Sequence, residues 1–289
     1  DGLAQAHCME VVMPNRLDTI FSNRIPVIGM VHLRPLPGSP LYDPSTMDMK
    51  RILAIAREEA RMLEDAGVDG VQVENMWDIP YLPGRDIGPE TVAALAVGVY
   101  EVANAVSIPV GAECHMNGAD LAMASAVAGG AKWIRVFEWC NAFISQSGYI
   151  ESIGGKVARM RAALRANHIA CLCDVNVKHG SHYIIHDRSV REQAMDIEAQ
   201  DGDAVIVTGF DTGMPPTVER IDECRSGVHL PIFLGSGLSK DNVRQLLSHA
   251  DGAIVGSYFK KDGNWKNEID SERTKAFMQE VKALRKELG

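Results

Sequence analysis

Strand-like and helix-like patterns alternate eight times along this chain, and the alternation limits the fold more than any other feature of the sequence. The strand-like segments are short and apolar, whereas the segments between them repeat apolar residues at helical spacing. Apolar strands that alternate with amphipathic helices are typical of a parallel sheet covered by helices. Eight such units close most economically into a (β/α)8 TIM barrel, which takes about 250 residues as one domain. The 289 residues therefore predict an α/β barrel.

The boundaries of the units follow from the same patterns. The predicted strands cover residues 25–31, 70–74, 108–112, 133–136, 170–177, 204–208, 231–234 and 253–255. The predicted helices cover residues 47–66, 89–106, 118–129, 154–167, 189–200, 217–226, 239–248 and 271–288. We expect Ser239 to be a helix N-cap and Pro89 to stand in a first helical turn. Residues 1–24 form a predicted N-terminal helical extension whose amphipathic stretch, Arg16 to Phe21, covers the bottom of the barrel, and residues 25–289 form the single barrel domain.

Two glycine-rich turns follow the seventh and eighth predicted strands. The first is Leu-Gly-Ser-Gly-Leu-Ser at 234–239, and the second is Val-Gly-Ser at 255–257. Glycine has no Cβ, so the backbone N–H groups of such turns can approach an anion. A (β/α)8 barrel commonly builds a phosphate site from the loops after these two strands. The predicted phosphate-binding residues are Gly209, which ends the sixth strand, and Gly235, Ser236, Gly237, Gly256 and Ser257.

The fifth strand carries the most distinctive polar residues. Strand alternation places Asp174, Asn176 and Lys178 on one face, toward the barrel mouth, and Cys173, Val175 and Val177 on the other, toward the helices. A structural interpretation is an internal Asp174–Lys178 ion pair that fixes register. A functional interpretation is that Lys178, tuned by Asp174, meets a substrate anion or carbonyl as a Schiff-base or acid–base group.

Glu74 closes the second strand and is the candidate general base, since it can face Asp174 across the mouth. The alternative is a carboxylate that caps the N–H groups of a neighbouring loop. Other polar residues at strand ends are candidates for substrate binding, because the active site of this fold lies at the C-terminal ends of its strands. They are His32, Asn75, Asn117, Asn176, His179 and Thr208.

Composition excludes several functions. A net charge of -9 and a pI near 5.5 argue against a nucleic-acid partner. No apolar run approaches the ~20 residues of a membrane span, so we expect no membrane insertion. Six scattered cysteines indicate reduced packing residues in a cytoplasmic protein. We also expect a homo-oligomer, because the outer helices carry exposed-looking apolar residues, among them Leu95, Val99 and Met123.

The sequence requires no cofactor, and it admits a divalent metal. His179, His182 and His186 are close in sequence, and His32 and His115 lie at other strand ends. Loop histidines at this spacing form no defined ligand motif, so no residue is assigned as a metal ligand.

The chain resembles the BtpA/SgcQ family from about residue 24 to the C-terminus, in stretches that include most of the candidate site residues. The matching stretches lie at 28–33, 35–40, 67–70, 73–75, 174–179, 203–209, 212–213, 235–237, 251–257 and 261–263. The resemblance implies a phosphate-binding barrel of the ribulose-phosphate-binding type. One member of the family is linked to photosystem I biogenesis, other members accompany sugar-uptake and phosphotransferase genes, and a nucleoside triphosphatase label is also attached to the family.

The chain departs from the family at two loops of the mouth. Cys-His-Met-Asn-Gly-Ala at 114–119 replaces a Val-Leu-Arg-Asn-Asp-like segment, in which only Asn117 is retained. Phe-Glu-Trp-Cys-Asn-Ala at 137–142 stands where the family tends to have Asn, Thr and Gly. We therefore expect a substrate preference that differs from that of its relatives.

The favoured function is an enzyme that acts on a phosphorylated sugar or related phosphate ester by lyase/aldolase or isomerase/epimerase chemistry. One alternative is a nucleotide or glycosidic-bond hydrolase that uses Glu74 and Asp174 as paired carboxylates, with or without Mg²⁺. The sequence contains no Gly-x-x-x-x-Gly-Lys-Ser/Thr loop, which argues against an ordinary nucleoside triphosphatase. The other alternative is a phosphate-ligand-binding assembly or regulatory factor without enzymatic activity.

Overall fold

Eight parallel strands close into a barrel, which confirms the predicted fold. The computed structural model describes residues 15–209 and 213–289. The barrel strands are β1 (Val27–His32), β2 (Gly70–Glu74), β3 (Val110–Glu113), β4 (Trp133–Val136), β5 (Ala170–Val175), β6 (Ala204–Val207), β7 (Ile232–Leu234) and β8 (Gly252–Val255). Each strand pairs in parallel with the next, and β8 pairs with β1 to close the ring. All strand C-termini therefore lie at the same end of the barrel.

The α-helices of the described chain form the outer layer. They are α1 (Met49–Asp65), α2 (Pro89–Ala103), α3 (Ala119–Gly129), α4 (Gly154–Ala163), α5 (Val190–Ala199), α6 (Val218–Arg225), α7 (Val243–Leu247) and α8 (Ser271–Glu287). Pro89 stands at the start of α2, as predicted. The barrel strands are buried along their lengths, because helices cover their outer face and core side chains fill the inside. None of the helices formed by the described residues combines the length and apolarity of a membrane span.

Short elements decorate the loops. Strands Phe143–Ser145 and Gly148–Ile150 form a hairpin, which Gly180–Ser181 extends to a three-stranded sheet. Single 3-10 turns are formed by Arg16–Thr19, Gly84–Asp86, Tyr183–Ile185, Ser257–Phe259 and Lys261–Gly263.

The segment before β1 covers the N-terminal end of the barrel. Asn15 caps the 3-10 turn Arg16–Thr19, and Leu17 packs with Ile28 at the bottom of the barrel interior. The rings of Phe21 and Trp133 lie 5.3 Å apart in the same layer. Residues 1–14, the rest of the predicted extension, lie outside the described residues.

Predicted and observed strand boundaries agree within two residues, and the end of β5 shows why they differ there. The predicted strand ran to Val177, but the strand ends at Val175 because Asn176 adopts a left-handed conformation with φ 53°. Alternation stops at that point. Val177 consequently packs with Phe137 and Phe143 at the mouth, and the prediction that it faces the helices was wrong.

The helix after β7 is shorter than predicted. It begins at Val243 with Asn242 as its N-cap, so the prediction of Ser239 as N-cap was wrong. The Ser239 backbone N–H instead donates to Asn242 Oδ1, and Asn242 Nδ2 donates to the Gly237 carbonyl. These two bonds hold the glycine-rich turn as a loop of its own ahead of the helix.

Three apolar residues on the outer helices are buried, contrary to expectation. Leu95, Val99 and Met123 are fully inaccessible, because α2 and α3 pack closely on each other and on the barrel. The apolar side chains that α2 and α3 do expose are Val97, Tyr100 and Val127. The cysteines of the described chain are unpaired, and four of the five are buried.

Candidate functional site

A cavity of about 300 Å³ opens at the C-terminal ends of the strands. Nine of the predicted site residues line it: His32, Glu74, Lys178, His179, Gly235, Ser236, Gly237, Gly256 and Ser257. Within the described chain, the cavity wall does not include the other predicted residues, which are Asn75, Asn117, Asp174, Asn176, Thr208 and Gly209. Two of these six, Asn75 and Asp174, hold residues that do line the cavity, His115 and Arg135.

Glu74 ends β2 beside His32, its register partner on β1. Both side chains are buried, and His32 Nε2 donates to Glu74 Oε1 over 3.1 Å. The other carboxylate oxygen of Glu74 lies 3.8 Å from His115 Nε2. Burial raises the pKa of Glu74, but the neighbouring His115 and His32 rings outweigh burial and hold that pKa well below its usual value. Glu74 is therefore an ionised carboxylate at neutral pH.

Glu113 occupies the equivalent position on β3, directly beside Glu74 in the strand register. Gln72 Nε2 donates to Glu113 Oε2 over 2.7 Å, and Trp133 Nε1 fixes the amide by donating to Gln72 Oε1 over 3.0 Å. Burial, followed by the charge of Glu74, raises the pKa of Glu113 well above its usual value. The sequence signal was present, since two neighbouring strands both end in Glu, but it was not used.

His115 stands directly above these carboxylates. Its ring stacks on Tyr81 at 4.8 Å and tilts against Phe137 at 4.9 Å, and its Nε2 lies 3.5 Å from Glu113 Oε1. The backbone N–H of His115 donates to Asn75 Oδ1 over 2.8 Å. Asn75, a predicted substrate contact, therefore fixes the loop that carries His115.

Asp174 pairs with Arg135 on β4, so the structural interpretation, an internal Asp174–Lys178 ion pair, is wrong. Arg135 Nε and Nη2 donate to the two Asp174 oxygens over 2.7 and 2.9 Å, and both side chains are buried. Arg135 lines the cavity as well. Sequence reasoning missed it, although an Arg two residues after Trp133 in an apolar strand must point into the barrel.

Lys178 is a half-buried side chain on the cavity wall. Burial and the nearby Arg135 guanidinium lower its pKa to about 8, against the opposing attraction of Asp174 and Glu74. A lysine in this state is partly unprotonated near neutral pH.

Asn117 and Thr208, two predicted substrate contacts, are both buried and do not line the cavity. Asn117 Oδ1 accepts from the Glu138 N–H over 3.1 Å, and its Nδ2 donates to the Glu151 carbonyl over 3.1 Å. Asn117 thus ties the β3 loop to the β4 loop. Burial raises the pKa of Glu138 to about 8. Thr208 is buried, and its hydroxyl has no hydrogen-bond partner among the described residues.

The glycine-rich turns differ in how open they are. A Cβ on Gly209 or Gly237 would overlap the backbone of Met214 and Pro215, which folds over both glycines. A Cβ on Gly256 would meet only ordinary contacts, the nearest with Met30 Cγ at 3.4 Å. Gly256 and Ser257 are therefore the more accessible part of the predicted phosphate site.

Arg273 adds a cation beside this turn. It lies near the start of α8, lines the same cavity, and donates from Nε to the Tyr258 carbonyl over 2.7 Å. Its guanidinium also covers the Tyr258 ring at 4.1 Å. No pattern in the sequence predicts Arg273 as a site residue, because the loop that brings it to the mouth has no recognisable motif.

One group of side chains in the described chain has the spacing of metal ligands. One ligand atom each from Glu74, Glu113 and His115 lies within 4.8 Å of the others. Two of the loop histidines considered from the sequence are engaged elsewhere: His182 Nε2 lies 2.8 Å from the Val177 carbonyl, and His186 Nδ1 lies 2.8 Å from the Tyr183 carbonyl.

Comparison with known proteins agrees with the resemblance noted in the sequence. The family model described as BtpA family matches residues 23–283. The chain belongs to the BtpA family. Photosystem I biogenesis protein BtpA of Synechocystis is 35% identical over 261 residues, which cover 90% of this chain and 88% of that protein. An uncharacterized protein of Thermococcus kodakarensis is 37% identical over 262 residues, which cover 91% of this chain and 97% of that protein.

Solved structures of TIM-barrel enzymes share the fold of this BtpA-family chain at low sequence identity. Thiamine phosphate pyrophosphorylase from Pyrococcus furiosus superposes with a TM-score of 0.53 at 13% identity, covering 90% of this chain and 96% of that chain. N-(5'-phosphoribosyl)anthranilate isomerase from Pyrococcus furiosus gives 0.52 at 15% identity, with coverage of 90% and 99%. These likenesses concern the fold alone.

Proposed function

We propose that this chain is an enzyme that acts on a phosphorylated sugar or related phosphate ester and exchanges a proton at a carbon beside a carbonyl. Lyases/aldolases and isomerases/epimerases share that step. The observation that carries the proposal is the single cavity into which Lys178, Arg135 and the open turn at Gly256 all face. It offers a reactive amine and an anion-binding turn in one enclosed space.

Lys178 is the reacting group of the proposal. With a pKa of about 8, part of its amine is free near neutral pH, so it can accept a proton from carbon or condense with a carbonyl to form an imine and release water. Asp174 acts through Arg135, whose guanidinium it holds with two hydrogen bonds. Glu74 supplies a fixed negative charge opposite, because His32 already occupies one of its oxygens.

The phosphate group of the substrate would bind at the turn of Gly256 and Ser257, next to the turn at Gly235–Gly237. Backbone N–H groups at such turns and a nearby guanidinium both favour an anion, and Arg273 provides the guanidinium. The names of the two similar Pyrococcus furiosus enzymes also contain phosphate compounds, which supports the same substrate class.

The hydrolase alternative has less support. It requires Asp174 and Glu74 to act as paired catalytic carboxylates, but Arg135 donates to both Asp174 oxygens. The proposal includes a cytoplasmic location, which the unpaired cysteines favour, and a homo-oligomeric state. It also includes residues 25–289 as one domain, in keeping with the closed barrel.

A thermal-shift screen against phosphorylated sugars, nucleotides and inorganic phosphate tests binding. A ligand at 100 times its dissociation constant stabilises the fold by about 2.7 kcal/mol. Gly256→Asp places a carboxylate at the proposed phosphate turn and should abolish the shift, whereas Gly256→Ala adds only a Cβ and should keep most of it.

Ligands that bind are then incubated with the enzyme and borohydride, and separately in deuterated water. Reduction of an adduct onto Lys178 indicates a reaction through an imine, and deuterium uptake without an adduct indicates that Lys178 acts as an acid–base group. Lys178→Met should abolish either reaction. Turnover that survives Lys178→Met, or binding without any reaction, would overturn the proposal, and the second result would favour an assembly role like the one in the name of the Synechocystis relative.

A further inference from the structure

Glu74 and Glu113 share an arrangement that neither needs for a purely structural role. In each, one carboxylate oxygen is held by a side-chain donor: His32 Nε2 for Glu74 and Gln72 Nε2 for Glu113. The second oxygen of each is directed at His115, to distances of 3.8 and 3.5 Å from Nε2. Three potential ligand atoms therefore converge on one position.

The three atoms have the spacing of a first coordination shell. Metal–ligand distances of about 2.0–2.2 Å place neighbouring ligand atoms roughly 3–3.5 Å apart. The distances from His115 Nε2 to the two oxygens are 3.5 and 3.8 Å, and all three atoms lie within 4.8 Å of one another. Side-chain adjustments on binding would bring them to coordination spacing. The two carboxylates also have the supporting contacts of metal ligands, since hydrogen bonds from outer residues orient them.

Two of these atoms are buried and form no hydrogen bond in the described chain. Glu113 Oε1 and His115 Nε2 make no hydrogen bond within residues 15–209 and 213–289, and the side chains that carry them are only 3% and 10% exposed. Buried polar atoms are normally satisfied, and each one left alone costs free energy. His115 Nδ1 also lacks a partner in the described chain, so no contact there opposes the tautomer that leaves Nε2 free to coordinate.

We propose that Glu74 Oε2, Glu113 Oε1 and His115 Nε2 bind one divalent transition-metal cation of the Zn²⁺, Mn²⁺ or Co²⁺ class at the barrel mouth. One imidazole and two carboxylates suit these ions better than Mg²⁺ or Ca²⁺, which prefer oxygen ligands alone. Three protein ligands leave coordination positions open for a ligand, as in catalytic sites.

The cation deepens the proposed function, and only its role in the reaction rests on that proposal. It would accept the carbonyl oxygen of the substrate, so that the electron pair released when a carbon proton moves to the Lys178 amine comes to lie on that oxygen. Glu74 then acts as a ligand, which leaves the proton transfer to Lys178. The binding of the cation itself requires no substrate.

The test is a titration of the chelator-treated full chain with Co²⁺, followed by visible absorption and equilibrium dialysis. We expect one equivalent of Co²⁺ to bind and to give visible absorption. Added Zn²⁺ should displace the Co²⁺ and abolish that absorption. Glu113→Gln and His115→Ala should each weaken binding at least tenfold. Glu138→Gln removes a different buried carboxyl of the mouth and should leave binding unchanged.

Diffraction from crystals soaked in Mn²⁺ or Zn²⁺ gives a second measurement that needs no variant. An anomalous peak within coordination distance of Glu74, Glu113 and His115 supports the site. Three outcomes would overturn the site. They are anomalous peaks confined to the loop histidines, no stoichiometric binding of Co²⁺, and a loss of Co²⁺ affinity in Glu138→Gln equal to that in Glu113→Gln. Because these measurements use no substrate, their failure is separate from the loss of turnover that Lys178→Met tests.

Discussion

Arg135 is the residue on which the polar interior of the barrel most depends. Its side chain and that of Asp174 are both buried, and the two form a bidentate pair. Removing one partner of such a pair leaves a charge in a medium that solvates it poorly. Arg135→Met should therefore lower the free energy of unfolding by about 3–5 kcal/mol.

The double variant Arg135→Met/Asp174→Leu replaces both charges with apolar groups and should recover most of that loss. Urea unfolding of the two variants and the wild type measures the difference. A double variant as unstable as the single one would show that Arg135 stabilises the fold through contacts other than Asp174.

Lys178 should reduce the stability of the fold while it serves the reaction. Its pKa falls from 10.5 to about 8 on folding, so between these values the unfolded chain binds more protons and stability rises with pH. Below pH 8 the full free-energy cost of burying the charged Lys178 is present. Lys178→Met should therefore stabilise the protein at pH 7 by about 1–2 kcal/mol, after allowance for partial exposure, and the gain should vanish as the pH rises past 10.5.

Thermal unfolding of Lys178→Met and wild type across this pH range provides the measurement. A variant that is less stable than wild type at pH 7 would mean that the lysine stem contributes packing that outweighs the cost of its charge. In that case the loss of turnover in Lys178→Met would need confirmation in Lys178→Arg, which keeps the charge and the stem.

Single residues differed in how far the sequence could predict them. Glu74 and Lys178 were predicted because each stands at the C-terminal end of an apolar predicted strand, where a charged side chain reaches the mouth. Glu113 ends β3 as Glu74 ends β2, so the same signal was present for it and was not used. Arg135 was not predicted, because a charge inside a strand has meaning only with its partner, and one sequence does not give cross-strand partners. The structural interpretation that paired Asp174 with Lys178 was wrong for the same reason.

At the scale of elements, β3 and β4 are coupled by one close approach. A Cβ on Gly111 of β3 would overlap the indole ring of Trp133 of β4. That ring fills the barrel interior and donates to Gln72, which holds Glu113. Gly111→Ala should destabilise the fold by about 2 kcal/mol through overpacking, and should also weaken Co²⁺ binding by displacing Gln72.

Gly155→Ala on α4 is the matched control, because the added Cβ would meet only the end of the Arg159 side chain at 3.4 Å. Its free energy of unfolding in urea should stay within about 0.5 kcal/mol of wild type. Gly111→Ala with unchanged stability would show that Trp133 moves aside without cost.

Element identities were predictable and element ends less so. A strand that is buried on both faces is apolar throughout, and a helix that is buried on one face repeats apolar residues at helical spacing. Both patterns are therefore visible in the sequence. The end of β5 depends on the left-handed conformation of Asn176, and the start of α7 depends on the hydrogen bonds of Asn242. Both are local backbone choices that residue type favours without fixing.

At the scale of the whole molecule, the outer surface of α2 and α3 is the expected contact between subunits. Tyr100 is 56% exposed, and Val97 and Val127 are exposed on the same pair of helices. We expect light scattering to give a mass above the 31.5 kDa of one chain, and Tyr100→Lys to lower it. Tyr183→Lys changes an exposed tyrosine of the loop after β5 and should leave that mass unchanged. A wild-type mass of 31.5 kDa would contradict the homo-oligomer.

The barrel as a whole was the most predictable feature, because eight repeats of one pattern constrain topology more strongly than any one of them constrains its own ends. The surface was the least predictable. Leu95 and Met123 look exposed on a helical wheel, yet they are buried because the helices pack on each other as well as on the barrel.

The site joins the first strand of the barrel to the last. His32 on β1 and Gly256 after β8 are more than 200 residues apart in sequence, yet a Cβ on Gly256 would lie 3.7 Å from His32 Nε2. Contacts at such separation form late, because the chain must first close a long loop. A chain still emerging from the ribosome therefore has no complete pocket before Gly256 has joined the ring, and ligand binding becomes a direct report that the ring has closed.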